Sequence, residues 1–129
     1  GLQLEVGSVA TDFEHRSFAQ ELALCERYYQ NSYLTGNVPA SSTSNDNAIN
    51  LISWADGNCI GFTFPRMRAA PSVTVRNPNS TTVARVNASG NDRGASAVNI
   101  NDHHVKYIAI TNGVNTSWVE VCYELNSEL

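Results

Sequence analysis

The chain has 129 residues, 42% of them hydrophobic, and its 12 acidic residues outnumber 8 basic ones to give a net charge of −4. This length fits one domain with a single core, and the acidic balance leaves no basic stripe for phosphate contacts, which argues against nucleic-acid binding. No apolar run reaches bilayer length and no export signal stands at the N-terminus, so we expect no membrane insertion.

The first predicted elements are an extended strand over residues 3–9 and one short helix. Ser17 and Gln20 have the spacing of a capping box, which satisfies free amide groups at a helix start. From there apolar residues recur at helical spacing and predict a helix from Ser17 to Tyr29 with a broad apolar side. The residues of this stripe are Phe18, Leu22, Leu24, Cys25, Tyr28 and Tyr29.

Beyond the helix, short apolar or alternating runs are separated by Asn, Ser, Gly and Asp, which is typical of an all-β sandwich or barrel. We predict seven strands here, at residues 49–54, 59–64, 72–76, 82–86, 97–100, 105–111 and 117–125. Asp56-Gly57 and Asn112-Gly113 are predicted hairpin turns, because type I′ turns need positive φ. Pro65 and Pro71 bracket a predicted bent connection, since proline lacks the amide proton that a sheet needs.

Alternation in the last strand separates two faces that are both partly apolar. Val119, Val121 and Tyr123 point one way, while Trp118 and Cys122 share the other face with two glutamates. We therefore predict an antiparallel β-sandwich, jelly-roll-like, of about seven or eight strands with one short N-terminal α-helix. The second face needs a cover, which is either the helix within the monomer or another subunit of a homo-oligomer.

The three cysteines and the histidine pair do not form a recognisable metal or redox motif. Cys25, Cys59 and Cys122 lack C-x-x-C spacing, and their apolar neighbours predict that all three are small buried hydrophobes in a reducing compartment. His103 and His104 are adjacent, so on a strand they point to opposite faces. We predict a solvated turn there; a histidine cluster on a three-fold axis is the minor alternative.

No pattern in the chain indicates an enzyme. Glu21 and Glu26 fall on different sides of the helix, and Glu120 and Glu124 are poorly spaced for acid and base work on one glycosidic bond. The G-x-S-x-G, H-E-x-x-H and phosphate-loop motifs are absent. We expect no catalytic residue, no cofactor and no metal.

Polar loops are the clearest candidates for binding. Residues 35–47, 77–82, 87–94 and 111–116 are rich in Asn, Ser, Thr and Gly, whose side chains suit hydroxyl-rich ligands such as glycans. The same residue types also make ordinary turns, and only residues 35–47 exceed what a connection requires. The predicted ligand-binding residues are Tyr33, Asn37, Asn91, Arg93, Asn112 and Asn115.

Three ordered segments resemble bacteriophage tail-fibre and related virion adhesion proteins. These are residues 3–29, where a Q-L-E…G-S-V-A-T strand leads into E-L-A-L-C-E-R-Y-Y, residues 62–75 and residues 123–129. Arg66 and Asn126-Ser127 depart from the family pattern. The resemblance implies that residues 1–16 end a preceding fibre module and that residues 17–129 form a C-terminal head domain.

The same resemblance implies a homotrimer about the fibre axis, upstream fibre domains as partners, and a place in the virion after synthesis in the bacterial host cytoplasm. Two functions follow as hypotheses. One is a receptor-binding tip that attaches to a host-cell surface glycan or outer-surface protein during adsorption, with avidity from several copies. The other is a structural trimerisation or virion-decoration module without its own receptor site.

Overall fold

A computed structural model describes residues 6–7, 9, 15–34, 37, 48–54, 57–80, 82–111 and 118–128. Within these ranges the strands pair antiparallel, so the predicted all-β, sandwich-like fold with one short helix is confirmed. The elements are α1 (Phe18–Glu26), β1 (Tyr29–Asn31), β2 (Ile49–Leu51), β3 (Ser53–Trp54), β4 (Asn58–Thr63), β5 (Ser72–Arg76), β6 (Arg85–Ala88), β7 (Asn91–Ile100), β8 (His104–Ile110) and β9 (Val119–Asn126).

Strand β9 is the centre of the first layer. Asn126 lies opposite residues of both β1 and β5, and Glu120 lies opposite residues of both β2 and β6, so β9 has a neighbour on each edge at both ends. The successive residues Val121 and Cys122 are both buried, which means that both faces of this strand are covered. The cover on both faces explains why apolar residues occur on both faces of this strand in the sequence.

Strand β7 connects the two layers. Its first residues, from Asn91, pair with β6 in the first layer, and the residues from Ala95 onward pair with β8, which continues to β4 and β3 in the second layer. Between the layers the ring of Phe62 stacks on that of Tyr123 with 4.4 Å between centroids. Full burial of each large aliphatic side chain here contributes about 1.5–3 kcal/mol. The largest fully buried side chains include Val86, Val105, Ile108, Val119, Val121 and Leu125.

The strand registers give the sandwich two distinct ends. We call the end where β9 starts, at Val119, the distal end, and the end where it stops, at Asn126, the proximal end. The hairpin between β6 and β7 lies at the distal end, because Ala88 is opposite both Val119 and Asn91. The chain enters β1 at the proximal end, where Tyr29 is opposite Asn126.

Helix α1 forms as predicted at its start but packs differently. The Ser17 side chain accepts the Gln20 N–H and the Gln20 side chain accepts the Ser17 N–H, which confirms the capping box. The helix stops at Glu26, and none of its residues is buried. The predicted packing of its apolar side on the sandwich is therefore wrong within one chain. The structure ties down the turn after the helix, where Arg27 O accepts the N–H of Arg68.

Several predicted strand limits are also wrong. Tyr29, assigned to the helix, starts β1, and the described residues Val6 and Val9 lie outside any strand. The predicted loop over residues 87–94 belongs mostly to the hairpin of β6 and β7, so β6 and β7 replace the predicted strands 82–86 and 97–100. The predicted strand 49–54 divides at Ile52 between β2 and β3, which belong to different layers.

Two more predictions concern the last turn and the cysteines. Asn112-Gly113 lies outside the described residues; in the described ladders β8 pairs with β7 and β4, and β9 pairs with β1, β2, β5 and β6. Cys59 and Cys122 are buried as predicted, and burial raises the pKa of the Cys59 thiol to about 11. Cys25 is exposed, contrary to prediction, because the helix stripe that carries it faces solvent.

Candidate functional site

Described residues of three connections lie toward the distal end of the sandwich: Gly57 between β3 and β4, Ser89 and Gly90 between β6 and β7, and Thr111 after β8. The Ile110 N–H donates to Gly57 O and the Thr111 N–H donates to Gly94 O, both at 2.8 Å, which ties the end of β8 to the β3–β4 connection and to β7. Loops presented by a rigid β scaffold are common binding surfaces. This end therefore gathers polar segments that are distant in sequence.

The tip of the hairpin between β6 and β7 is exposed at Ser89, Gly90 and Asn91. Ser89 and Gly90 have φ angles of 48° and 82°, as a two-residue type I′ turn requires, and Asn91 Nδ2 donates to Ser89 O at 3.3 Å. A Cβ placed on Gly90 would have no neighbour within 4 Å. The tip is thus open to a ligand while its backbone is fixed.

A polar network fixes the turn between β5 and β6 against this hairpin. Asn77 is 4% exposed, and its Nδ2 donates to Asp92 Oδ1 at 2.7 Å. The opposite carboxylate oxygen of Asp92 accepts from Arg85 Nε at 2.7 Å, and Asn77 Oδ1 accepts the Asn79 N–H at 2.9 Å. Charge-assisted bonds of this kind hold geometry well, so the two segments are positioned together.

Next to the network, where Asn87 lies opposite Asp92, Asn87 and Glu120 form a buried polar pair. They are 4% and 9% exposed, and Asn87 Nδ2 donates to Glu120 Oε2 at 2.7 Å. Glu124, further along β9, accepts from Arg76 Nε at 2.8 Å. Both carboxylates of β9 are therefore engaged in contacts between strands.

The structure brings only part of the predicted binding set together. Asn91 lies at the distal hairpin and Arg93 lies two residues further along β7, in a strand and not in a loop. Tyr33 and Asn37 belong to the connection from β1 to β2, whose described ends lie along β9, since the Ser32 N–H donates to Tyr123 O and Ile49 is opposite Val121.

Asn112 and Asn115 lie outside the described residues, on the connection from β8 to β9. Its described flanks are Thr111, whose N–H donates to Gly94 O of β7, and Trp118, which precedes Val119 at the distal end. The backbone of Tyr33 donates to Asn31 Oδ1 at 2.9 Å and that of Asn37 donates to Leu34 O at 2.9 Å.

Sequence reasoning missed the residue that organises this end. Asn77 is followed by Pro78 and Asn79, a pattern that marks a turn but not a buried side-chain amide with three hydrogen bonds. The sequence pattern is weak evidence for a buried amide, because Asn is equally common as an ordinary turn residue. Only the pairing of β6 with β7 places Asp92 within its reach.

The histidine pair lies at the opposite, proximal end, in the turn from β7 to β8. Asn101 Oδ1 accepts the N–H groups of His103 and His104 at 3.0 and 2.9 Å, which confirms the predicted turn. His103 Nδ1 is 2.8 Å from Asp102 Oδ1, and this bond together with nearby Arg66 holds the pKa of the Asp102 carboxyl below its usual value. Among the described residues no set of three His, Cys, Asp or Glu side chains could hold a metal ion.

A separate groove of about 620 Å³ opens between β2 and the pair β4 and β8, with Phe62, His104 and Lys106 among its lining residues. Of the predicted binding residues that the structure describes, Tyr33, Asn37, Asn91 and Arg93, none lines this groove. In the part of the chain that the structure describes, no helix has both the length and the apolar character to cross a membrane. Comparisons with family models, with curated proteins and with solved structures found no match to this chain.

Proposed function

We propose that this chain is the C-terminal domain of a bacteriophage tail fibre or related virion adhesion protein and binds a host-cell surface receptor, a saccharide, during adsorption. Recognition is assigned to the distal end of the sandwich. The observation that carries the proposal is the separation of the two ends: polar connections gather at one, and the chain enters from the other.

This polarity supports an adhesive tip for a physical reason. A fibre tip must present its binding surface away from the shaft, and residues preceding β1 reach the sandwich at the proximal end. The distal surface offers short amide and hydroxyl side chains, which lose little conformational entropy on binding sugar hydroxyls. The fixed backbone of the β6–β7 hairpin and the Asn77 network lowers that cost further.

The apolar side of α1 supports a homotrimer as part of this proposal. Phe18 is 82% exposed and Leu22 45% exposed, and Cys25 on the same side is also exposed. These three residues have the 4–3 spacing with which helices pack on like helices. An exposed apolar helix face marks an interaction surface, so it also favours the alternative function of a trimerisation or decoration module.

The trimer is tested by light scattering on the purified chain at micromolar concentration. We expect a mass of three chains, and we expect Leu22→Glu to give a folded monomer. Ile52→Glu is the matched control, because Ile52 is 65% exposed at the joint of β2 and β3, far from the helix in sequence. A monomeric native chain would refute the trimer.

The receptor function is tested by blocking one end at a time. In a Cys25→Ser background, Asn91→Cys places a thiol at the distal hairpin and Arg66→Cys places one at the proximal end, where the Arg66 side chain is 75% exposed. Each thiol is coupled to a maleimide polymer, and competition with phage for susceptible cells is measured. We expect the distal adduct to lose competition and the proximal adduct to keep it.

An equal loss of competition with both adducts would contradict the assignment of receptor binding to the distal end. Failure of the unmodified trimer to compete on a strain susceptible to a phage that carries the chain would refute receptor binding. A chain that trimerises without competing, and whose deletion prevents fibre assembly, would establish the structural alternative.

A further inference from the structure

Arg93 carries a positive charge that the described part of the protein does not neutralise. It lies opposite Val86 in the pairing of β6 with β7, and Val86 is a fully buried core residue, so the Arg93 side chain starts on the core-facing side. Its Nε atom is buried and has no hydrogen-bond acceptor within reach. The side chain as a whole is half-buried.

The neighbouring carboxylates are already used. Asp92 points to the opposite face of β7 and is held by Arg85 and Asn77. Glu120 accepts from Asn87, on the strand that separates β7 from β9. The other arginines of the same sheet, Arg85 and Arg76, each have a carboxylate within 2.8 Å. Arg93 differs from them in having no ion pair and no hydrogen bond at its buried Nε among the described residues.

One other buried side-chain atom has no hydrogen-bond partner in the described ranges. The hydroxyl of Ser80 is buried without a hydrogen bond, and Ser80 belongs to the turn that Asn77 ties to the β6–β7 hairpin. Ser80 and Arg93 together account for all the buried unpartnered side-chain atoms found in the described ranges. Such atoms are costly to bury, and they mark places where a bound group can supply the missing bond.

We infer that Arg93 binds the anionic group of an acidic saccharide, either a carboxylate or a phosphate, at the distal end. This inference rests on the proposed function and specifies its ligand class. A guanidinium presents donors in a planar fork that matches both groups, and a partly desolvated site strengthens the contact. The polar residues of the distal connections then contact the sugar hydroxyls around the charged group.

The position of Arg93 suits this role. Its neighbour Gly94 accepts the Thr111 N–H, so the connection from β8 to β9 begins directly beside it. Two residues away on the other side, Asn91 stands at the hairpin tip. Arg93 therefore lies between two described features, the β6–β7 hairpin tip and the bond of Thr111 to Gly94.

Isothermal titration of the full chain tests the inference with three probes: trigalacturonic acid for the carboxylate, a mannose 6-phosphate oligosaccharide for the phosphate, and maltotriose as the neutral sugar. We expect the chain to bind one acidic probe, with affinity that falls as salt concentration rises. Arg93→Gln should lose at least ten-fold in affinity for that probe, and Arg93→Lys should bind with intermediate affinity. Lys106→Gln is the matched control, because it removes one exposed positive charge from β8.

Thermal unfolding of the same variants separates binding from structure. An arginine that stabilises the fold would lower the melting temperature when replaced, whereas removal of an unpaired, partly buried cation should leave it unchanged or raise it. A marked fall in melting temperature for Arg93→Gln, or unchanged binding of the acidic probe, would overturn the inference.

The probes also distinguish this inference from the proposed function. Binding of the neutral sugar alone would leave receptor binding intact and refute the acidic ligand. Binding of neither acidic probe by a chain that still competes with phage for cells would likewise refute the acidic ligand alone. Loss of competition on cells would refute the proposed function itself.

Discussion

The buried pair of Asn87 and Glu120 allows the electrostatics of the sandwich to be tested by changing one group. Asn87→Asp replaces the Nδ2 that donates to Glu120 Oε2 at 2.7 Å with an oxygen that has no proton to donate. Aspartate has nearly the shape of asparagine, so the substitution leaves no cavity. Because both residues are at least nine-tenths buried, water screens the new contact poorly.

The folded variant can either hold two charged carboxylates or keep one of them protonated, and the response that costs less free energy sets the expected loss of stability. With an effective dielectric constant of about 20, two carboxylates about 3 Å apart repel by about 5–6 kcal/mol. Keeping a proton on one carboxyl at pH 7 costs about 1.4 kcal/mol for each pH unit above its usual titration near pH 4, or about 4 kcal/mol. The variant pair therefore takes up a proton, and the free energy of unfolding at pH 7 should fall by about 3–4 kcal/mol.

Urea unfolding between pH 7 and pH 4, followed by tryptophan fluorescence, measures this effect. The folded variant binds one proton more than the unfolded chain in this range, so the lost stability should return as the pH falls toward about 4. Asn50→Asp is the control: Asn50 faces Glu120 from β2 on the other edge but is exposed, so it should cost less than about 1 kcal/mol. A loss in Asn87→Asp that does not change with pH, or an equal loss in the control, would refute the reasoning.

Three further predictions concern backbone contact, thiol reactivity and the helix cap. Gly61→Ala should prevent folding, because a Cβ at this position would lie 1.8 Å from Val105 O. Circular dichroism measures the outcome, and a native spectrum with cooperative melting would contradict this close approach of Gly61 to Val105. In the monomeric Leu22→Glu background a thiol reagent at pH 8 should label Cys25 rapidly, because the helix stripe is then open to solvent, while Cys59, with its pKa raised to about 11 by burial, should react only after denaturation. The free energy of unfolding should also fall as pH rises from about 9 to 11, since the Cys59 thiol of the unfolded chain ionises first. Ser17→Ala removes the N-cap of a helix that has no buried residue, and it should lower the stability of that helix by about 1 kcal/mol. Far-UV circular dichroism of the monomeric Leu22→Glu background should then show a weaker helical signal. An unchanged signal would show that the cap contributes nothing.

The candidate site was predictable in composition but not in arrangement. The sequence identifies Asn91 and Arg93 as polar residues between strands, and the structure places both at the distal end. It cannot show that Tyr33 lies elsewhere, because that depends on where the chain leaves and rejoins β9. Asn77 was overlooked for the same reason, since its partner Asp92 is fifteen residues away.

The sequence by itself determined the features that depend on neighbouring residues. The capping box at Ser17, the strand β5 and the bent connection between Pro65 and Pro71 are local, because amide satisfaction, side-chain alternation and proline geometry act over a few residues. Tertiary structure decided which apolar surfaces are covered. Burial depends on what packs opposite a face. Neighbouring elements cover both faces of β9 but leave the apolar stripe of α1 open to solvent, although the sequence alone predicted that this stripe packs on the sandwich.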